Sequence, residues 1–165
     1  MKSRVPAMAA AALLSATATA VSQANFAGTW VLDPTRSEGI PPDVSMTMTV
    51  KQDGDRLQIE SAIVAPQGQQ TIPDVFVLDG KETDYQAPVI GQGAGKGKRT
   101  AKWNADKTGF ESTESATISG PDGEGTLSAK RKWTLAADGN TLTIDVAITT
   151  PMGGQVSKRV FTKKS

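Results

Sequence analysis

The sequence contains neither cysteine nor histidine among its 165 residues. Without cysteine there is no disulfide, so the fold must rest on core packing alone. Without histidine the commonest general base near neutral pH and the commonest metal ligand are both missing. A metal site would need oxygen ligands only, and none is expected. No nucleophile-elbow motif and no phosphate loop occurs. Gly91, Gly93, Gly95 and Gly97, interleaved with Lys96 and Lys98, lack the Gly-Lys-Ser/Thr ending of a phosphate cradle. No enzymatic activity and no cofactor are expected. Helical periodicity is absent throughout. Aromatic residues are few, at 5%, so each one weighs heavily on where the core lies.

The charge balance is nearly neutral, with 18 basic and 17 acidic residues. Two of the basic ones, Lys2 and Arg4, precede an Ala-rich apolar run, VPAMAAAALLSATATAV. That run is too short and too weakly apolar for a membrane span, and it reads as a secretory signal peptide over residues 1–24. Ala18-Thr19-Ala20 and Ser22-Gln23-Ala24 each offer a small-x-small site, so cleavage follows Ala20 or Ala24. The mature chain carries a net charge near −1, which argues against nucleic acid as a partner. Residues 25–165 suffice for one domain with its own core. The expectation is an exported monomer, periplasmic or extracellular, with no membrane span in the mature chain.

What the mature sequence has in abundance is alternation. Val44, Met46, Met48 and Val50 alternate with polar residues, as do Leu57, Ile59 and Ile63 beyond an Asp53-Gly54 turn. A two-residue turn there pairs Val50 with Leu57 and Met48 with Ile59. Phe110 to Leu135 reads as a long hairpin about Asp122-Gly123. That turn sets Ala116 opposite Ala129, Glu114 opposite Arg131, Ser112 opposite Trp133, and Phe110 opposite Leu135. Asp138-Gly139 then pairs Leu135 with Leu142 and Trp133 with Ile144. Pro88 to Gly97, rich in glycine, reads as a long flexible loop. The fold class is all-β: an antiparallel up-and-down meander of about 8–10 strands. Closure into a barrel removes the exposed edges of so many strands; a two-sheet sandwich is the alternative.

The inward face so defined contains charges that the apolar pattern does not require. Glu114 lies between Arg131 and, on the preceding strand, Arg99. The three form a candidate network able to receive a carboxylate head group in an apolar cavity. The alternatives are a structural ion pair and exposure to solvent. Trp103 and Trp133 fall on neighbouring inward faces and are read as stacking across Ser112. With Met46 and Met48 they are candidate ligand-contacting side chains or core filling.

One further pattern lies on the first strand. Phe26-Ala27-Gly28-Thr29-Trp30 resembles the Gly-x-Trp signature of lipocalin and calycin barrels. The continuation GTWVLDPTRS, the Gln52–Asp55 turn, the Asp79-Gly80-Lys81 turn and the Trp133–Leu142 stretch are similar to small secreted bacterial lipocalin-like proteins. Most of that group has no assigned function. The resemblance implies a lipocalin-like barrel with Trp30 at its closed end beside Gly28. It further implies an arginine laid over that tryptophan: Arg159, with Arg131 second. It also implies a small hydrophobic or amphipathic ligand in the cup. The chain departs from typical lipocalins in lacking a disulfide and a long helix before the last strand. The alternative is a barrel filled solid, acting as a structural or protein-interaction domain.

Overall fold

The computed structural model describes residues 23–89, 93–120 and 123–164. The signal-peptide reading falls almost wholly outside the described residues. Ten antiparallel strands form one sheet: β1 (Gly28–Leu32), β2 (Ser45–Asp53), β3 (Arg56–Ala65), β4 (Gly68–Val77), β5 (Asp79–Val89), β6 (Gly93–Trp103), β7 (Gly109–Gly120), β8 (Gly123–Leu135), β9 (Thr141–Thr150) and β10 (Gly153–Lys163). Their order is β4-β3-β2-β1-β10-β9-β8-β7-β6-β5. Strand β1 pairs with both β2 and β10, so first and last strands meet as in an up-and-down barrel. The expected meander is what forms. Strands β4 and β5, joined only through Leu78, end the sheet on either side of an unpaired seam.

Two hairpin registers differ from those read in the sequence, each by two residues. Strand β2 pairs Val50 with Ile59 and Met48 with Ser61, closing at Asp53–Arg56. The loop is therefore Gly54-Asp55. Gly54 has φ +56, which suits the first central position of a II′ turn, where only glycine adopts positive φ cheaply. Strands β7 and β8 close at Gly120–Gly123, so Glu114 faces Ala129, Ser112 faces Arg131, and Phe110 faces Trp133. The expected Asp122-Gly123 turn lies partly outside the described residues. A slip of two residues keeps every side chain on its own face. The inward set is therefore unchanged and only the partners move. The β8–β9 register is as read, with Trp133 on Ile144 and Leu135 on Leu142.

The Gly-rich stretch is mostly strand, whereas the sequence suggested a loop. Gly97 pairs with Tyr85 and Gly95 with Ala87; residues 90–92 of the expected loop lie outside the described residues. Glycine is required here for closeness. A Cβ on Gly97 would stand 1.9 Å from the Ser115 carbonyl oxygen, and one on Gly95 2.5 Å from that of Thr117. Strand β4 also begins earlier than the sequence suggested, at Gly68, and includes Pro73. Proline lacks the ladder donor and is tolerated because β4 is an edge strand.

The core concentrates at one end. All four phenylalanines and all three tryptophans belong to one apolar cluster, with Leu57, Leu142 and the β2 methionines. Phe110 is its hub. It stacks on Trp133 at 5.0 Å between ring centroids, and meets Phe26 edge-on at 5.5 Å and Phe76 at 5.4 Å. It also stands between Trp103 and Trp133, the position the sequence reading assigned to Ser112. Trp30 is fully buried and its indole N–H donates to the Phe26 carbonyl at 2.8 Å. The cation over its ring is Lys163, whose Nζ is 5.3 Å from the centroid. Arg159 does not occupy that place, because β10 sets Lys163 directly opposite Trp30 and Arg159 opposite Ile144 on β9. Gly28 leaves room for the lysine arm: a Cβ there would be 2.7 Å from Lys163 Cε.

Candidate functional site

Charge enters the barrel because β6, β7 and β8 each turn one ionic side chain inward. Arg99 and Glu114 are directly paired across β6 and β7, and they are 3% and 1% exposed. This burial rules out the solvent-facing alternative. Arg99 Nε donates to Glu114 Oε1 at 2.9 Å. Its Nη1 and Nη2 grip Asp74 of β4 as a fork, at 2.6 and 3.0 Å, and Nη1 also reaches the Val75 carbonyl at 2.7 Å. The guanidinium lies between the Phe76 and Tyr85 rings, at 4.0 and 4.2 Å from their centroids. Arg99 thus reaches past β5 to fasten β4, across the seam that no backbone ladder closes. Asp74 was not singled out in the sequence. Its only local sign is an acid beside a proline on a strand.

Arg131, now diagonal to Glu114, still forms an ion pair with Oε1 of that carboxylate. Burial works to lower the Arg131 pKa, but the Glu114 charge and the Tyr85 hydroxyl outweigh it and hold it above its ordinary value. Tyr85 itself is pushed up by burial and by Glu114. Arg99, Glu114 and Arg131 therefore do come together, extended by Asp74 and Tyr85.

Two neighbouring hollows lie beside this network. A mouth cavity of about 370 Å³ is walled by Ile40, Val44, Met46, Ile63, Val146 and Ile148, with Gln67, Gln69, Gln70 and Gln155 among its polar residues. A deeper pocket of about 100 Å³ is lined by Met46, Met48, Ile59, Ser61, Asp74, Arg131, Trp133, Ile144 and Arg159, among others. Met46, Ile63 and Arg159 border both hollows. The aromatic end is thus filled, and the hollows lie beside the ionic network. Trp103 borders neither hollow; its indole donates to Asp55 at 2.8 Å on the aromatic end. A larger concavity of about 530 Å³ lies on the outer wall, among the outward-facing Glu111, Lys130, Lys132, Asp145 and Lys158. Successive strands there alternate in sign, Glu111 opposite Lys132 and Lys132 opposite Asp145. Such solvated pairs contribute little.

Arg159, read in the sequence as a structural cap, borders both hollows. No carboxylate lies within ion-pair distance of it among the described residues. Burial and the like charge of Arg131 depress its pKa. Among the described residues, three buried polar side-chain atoms have no hydrogen-bond partner: Glu114 Oε2, Trp133 Nε1 and Arg159 Nε. Each such atom costs about 1–3 kcal/mol, and two of them belong to residues lining the deeper pocket, Trp133 and Arg159, which calls for a guest or water there.

No family model matches this sequence, and no curated protein matches it. Among solved structures, the zebrafish ileal bile acid-binding protein complexed with cholic acid shares the barrel. Its TM-score is 0.52 at 19% identity, over 84% of this chain and 98% of that one. Secretory abundant heat soluble protein 4 from Ramazzottius varieornatus gives a TM-score of 0.48 at 12% identity, over 84% and 94%. The protein is a ten-stranded, nearly closed antiparallel β-barrel, sharing its fold with that bile acid-binding protein.

Proposed function

We propose that the barrel is a non-catalytic binding protein for a small amphipathic molecule with a carboxylate head. The observation that carries this reading is the charge count inside. Among the described residues, Arg99, Arg131 and Arg159 have only Asp74 and Glu114 as inward counter-charges, and the surplus cation, Arg159, borders both hollows. Arg159 is half-buried and its Nε has no acceptor, so an anion beside it would offset the desolvation of that charge. The planar guanidinium fork matches a carboxylate. The mouth cavity falls within the roughly 300–1,000 Å³ common for small-molecule sites, and its apolar walls suit a hydrocarbon body. That a barrel of this fold was crystallised with cholic acid is in keeping with the reading.

Calorimetric titration with decanoate and with decanol tests it. The native protein is expected to prefer decanoate at least tenfold, from a charge-assisted bond contributing about 1.5–3 kcal/mol. Arg159→Met is expected to erase that preference and to leave urea stability equal or higher, because a half-buried charge with no carboxylate partner is removed. Equal affinity for the two compounds, or binding of neither, would sink the proposal.

Export belongs to the same proposal and rests on the apolar leader. Of the two cleavage sites, Ala20 is preferred. The Ala24 amide donates to the Lys107 carbonyl at 2.9 Å and its carbonyl accepts from Gln52 at 3.1 Å, so the chain is already tied to the barrel there. The intact mass of protein recovered from a periplasmic extract is expected to begin at Val21. A mass beginning at Met1 contradicts export, and one beginning at Asn25 contradicts the choice of site.

A further inference from the structure

Resting on the reading above, we infer that the Trp133 indole N–H is a ligand donor, acting with Arg159 on one oxyanion in the deep pocket. The ligand then enters head first. The three tryptophans differ in one respect. Trp30 Nε1 donates to Phe26 O and Trp103 Nε1 donates to Asp55 Oδ1, each at 2.8 Å. Trp133 is 4% exposed, borders the deep pocket, and its Nε1 has no acceptor. Buried indole N–H groups ordinarily find one. Arg159 borders the same pocket with its Nε equally unpartnered. Arg131, the other arginine there, is already committed to Glu114. Both residues line one pocket and each has a donor without an acceptor, one of them cationic; together they ask for an acceptor with negative charge.

Size decides the orientation. The deep pocket, about 100 Å³, holds roughly three water molecules at ~30 Å³ each. That is room for a carboxylate and its first carbon, not for a chain. The mouth, about 370 Å³ and walled by aliphatic side chains, takes the rest. Head and tail are thereby sorted by polarity and volume together, with Arg159 bordering both hollows. Stacking of Trp133 on Phe110 and its T-shaped contact with Phe76 at 5.6 Å hold the indole in place, so the donor is positioned before the ligand arrives.

The test is a titration of the mature protein, labelled with ¹⁵N at the tryptophan indoles, with decanoate. Trp30→Phe, Trp103→Phe and Trp133→Phe assign the resonances, any two of them sufficing. The Trp133 indole proton is expected to move downfield on binding, while those of Trp30 and Trp103 stay in place. Trp133→Phe is expected to weaken decanoate roughly tenfold and to leave decanol unchanged. Should that variant fail to fold, the native titration alone decides. Tight decanoate binding with a stationary Trp133 resonance overturns the inference, assigns the N–H to internal water, and leaves the proposed function standing. Absence of any decanoate binding overturns both.

Discussion

Replacing Arg99 by leucine is expected to destabilise the protein by about 3–5 kcal/mol, the usual loss when one partner of a buried ion pair is removed. The physical reason is the number of groups that depend on one side chain. Glu114 and Asp74 each lose a charged donor, and the Val75 carbonyl loses its bond. The Phe76 and Tyr85 rings lose the cation between them. Strands β4 and β5 share no ladder, so no backbone hydrogen bonds replace the clamp. Urea unfolding reads the loss directly as a lower midpoint. Arg99→Lys is a sharper comparison. It keeps the charge but cannot fork onto Asp74 while also reaching Glu114, and it is expected to recover less than half of the loss. A leucine variant within about 1 kcal/mol of the native protein would show that the seam is held by something else.

Phe110→Ala is expected to cost a similar amount, about 3–5 kcal/mol for a large aromatic side chain removed from a packed core. Phe110 is 1% exposed and touches the rings of Phe26, Phe76, Trp103 and Trp133. A void there borders four large, rigid neighbours that cannot all collapse into it. Phe110→Leu keeps much of the volume and loses mainly the aromatic contacts, at about 0.5–1.5 kcal/mol for each favourable pair. Thermal and urea unfolding of the two variants should therefore rank alanine well below leucine. If the two are equal, volume is not what Phe110 supplies.

The faces of the strands were legible because side-chain direction alternates with a period of two, a property of a few adjacent residues. That is why Glu114, Arg99 and Arg131 were read as inward and are inward. The hairpin partners were less legible. Gln52-Asp53-Gly54-Asp55 permits a turn centred on Asp53-Gly54 or on Gly54-Asp55, and only the second leaves the β2–β3 ladder as it stands. The error of two residues preserved the network but put Phe110, rather than Ser112, between two tryptophans.

The candidate site shows the same division. Alternation and turn residues by themselves determined an all-β meander and the charged inward faces of β6, β7 and β8. Three things needed the closed barrel. The seam between β4 and β5 is a gap between strands consecutive in the chain, and Arg99 crosses it to Asp74, 25 residues away. The cation over Trp30 is Lys163 because the β1–β10 register places it there. Arg159, freed from that role, borders both hollows. Each depends on which distant strands meet and at what offset. Short-range pattern specifies which way a side chain points; only closure of the sheet specifies what it meets.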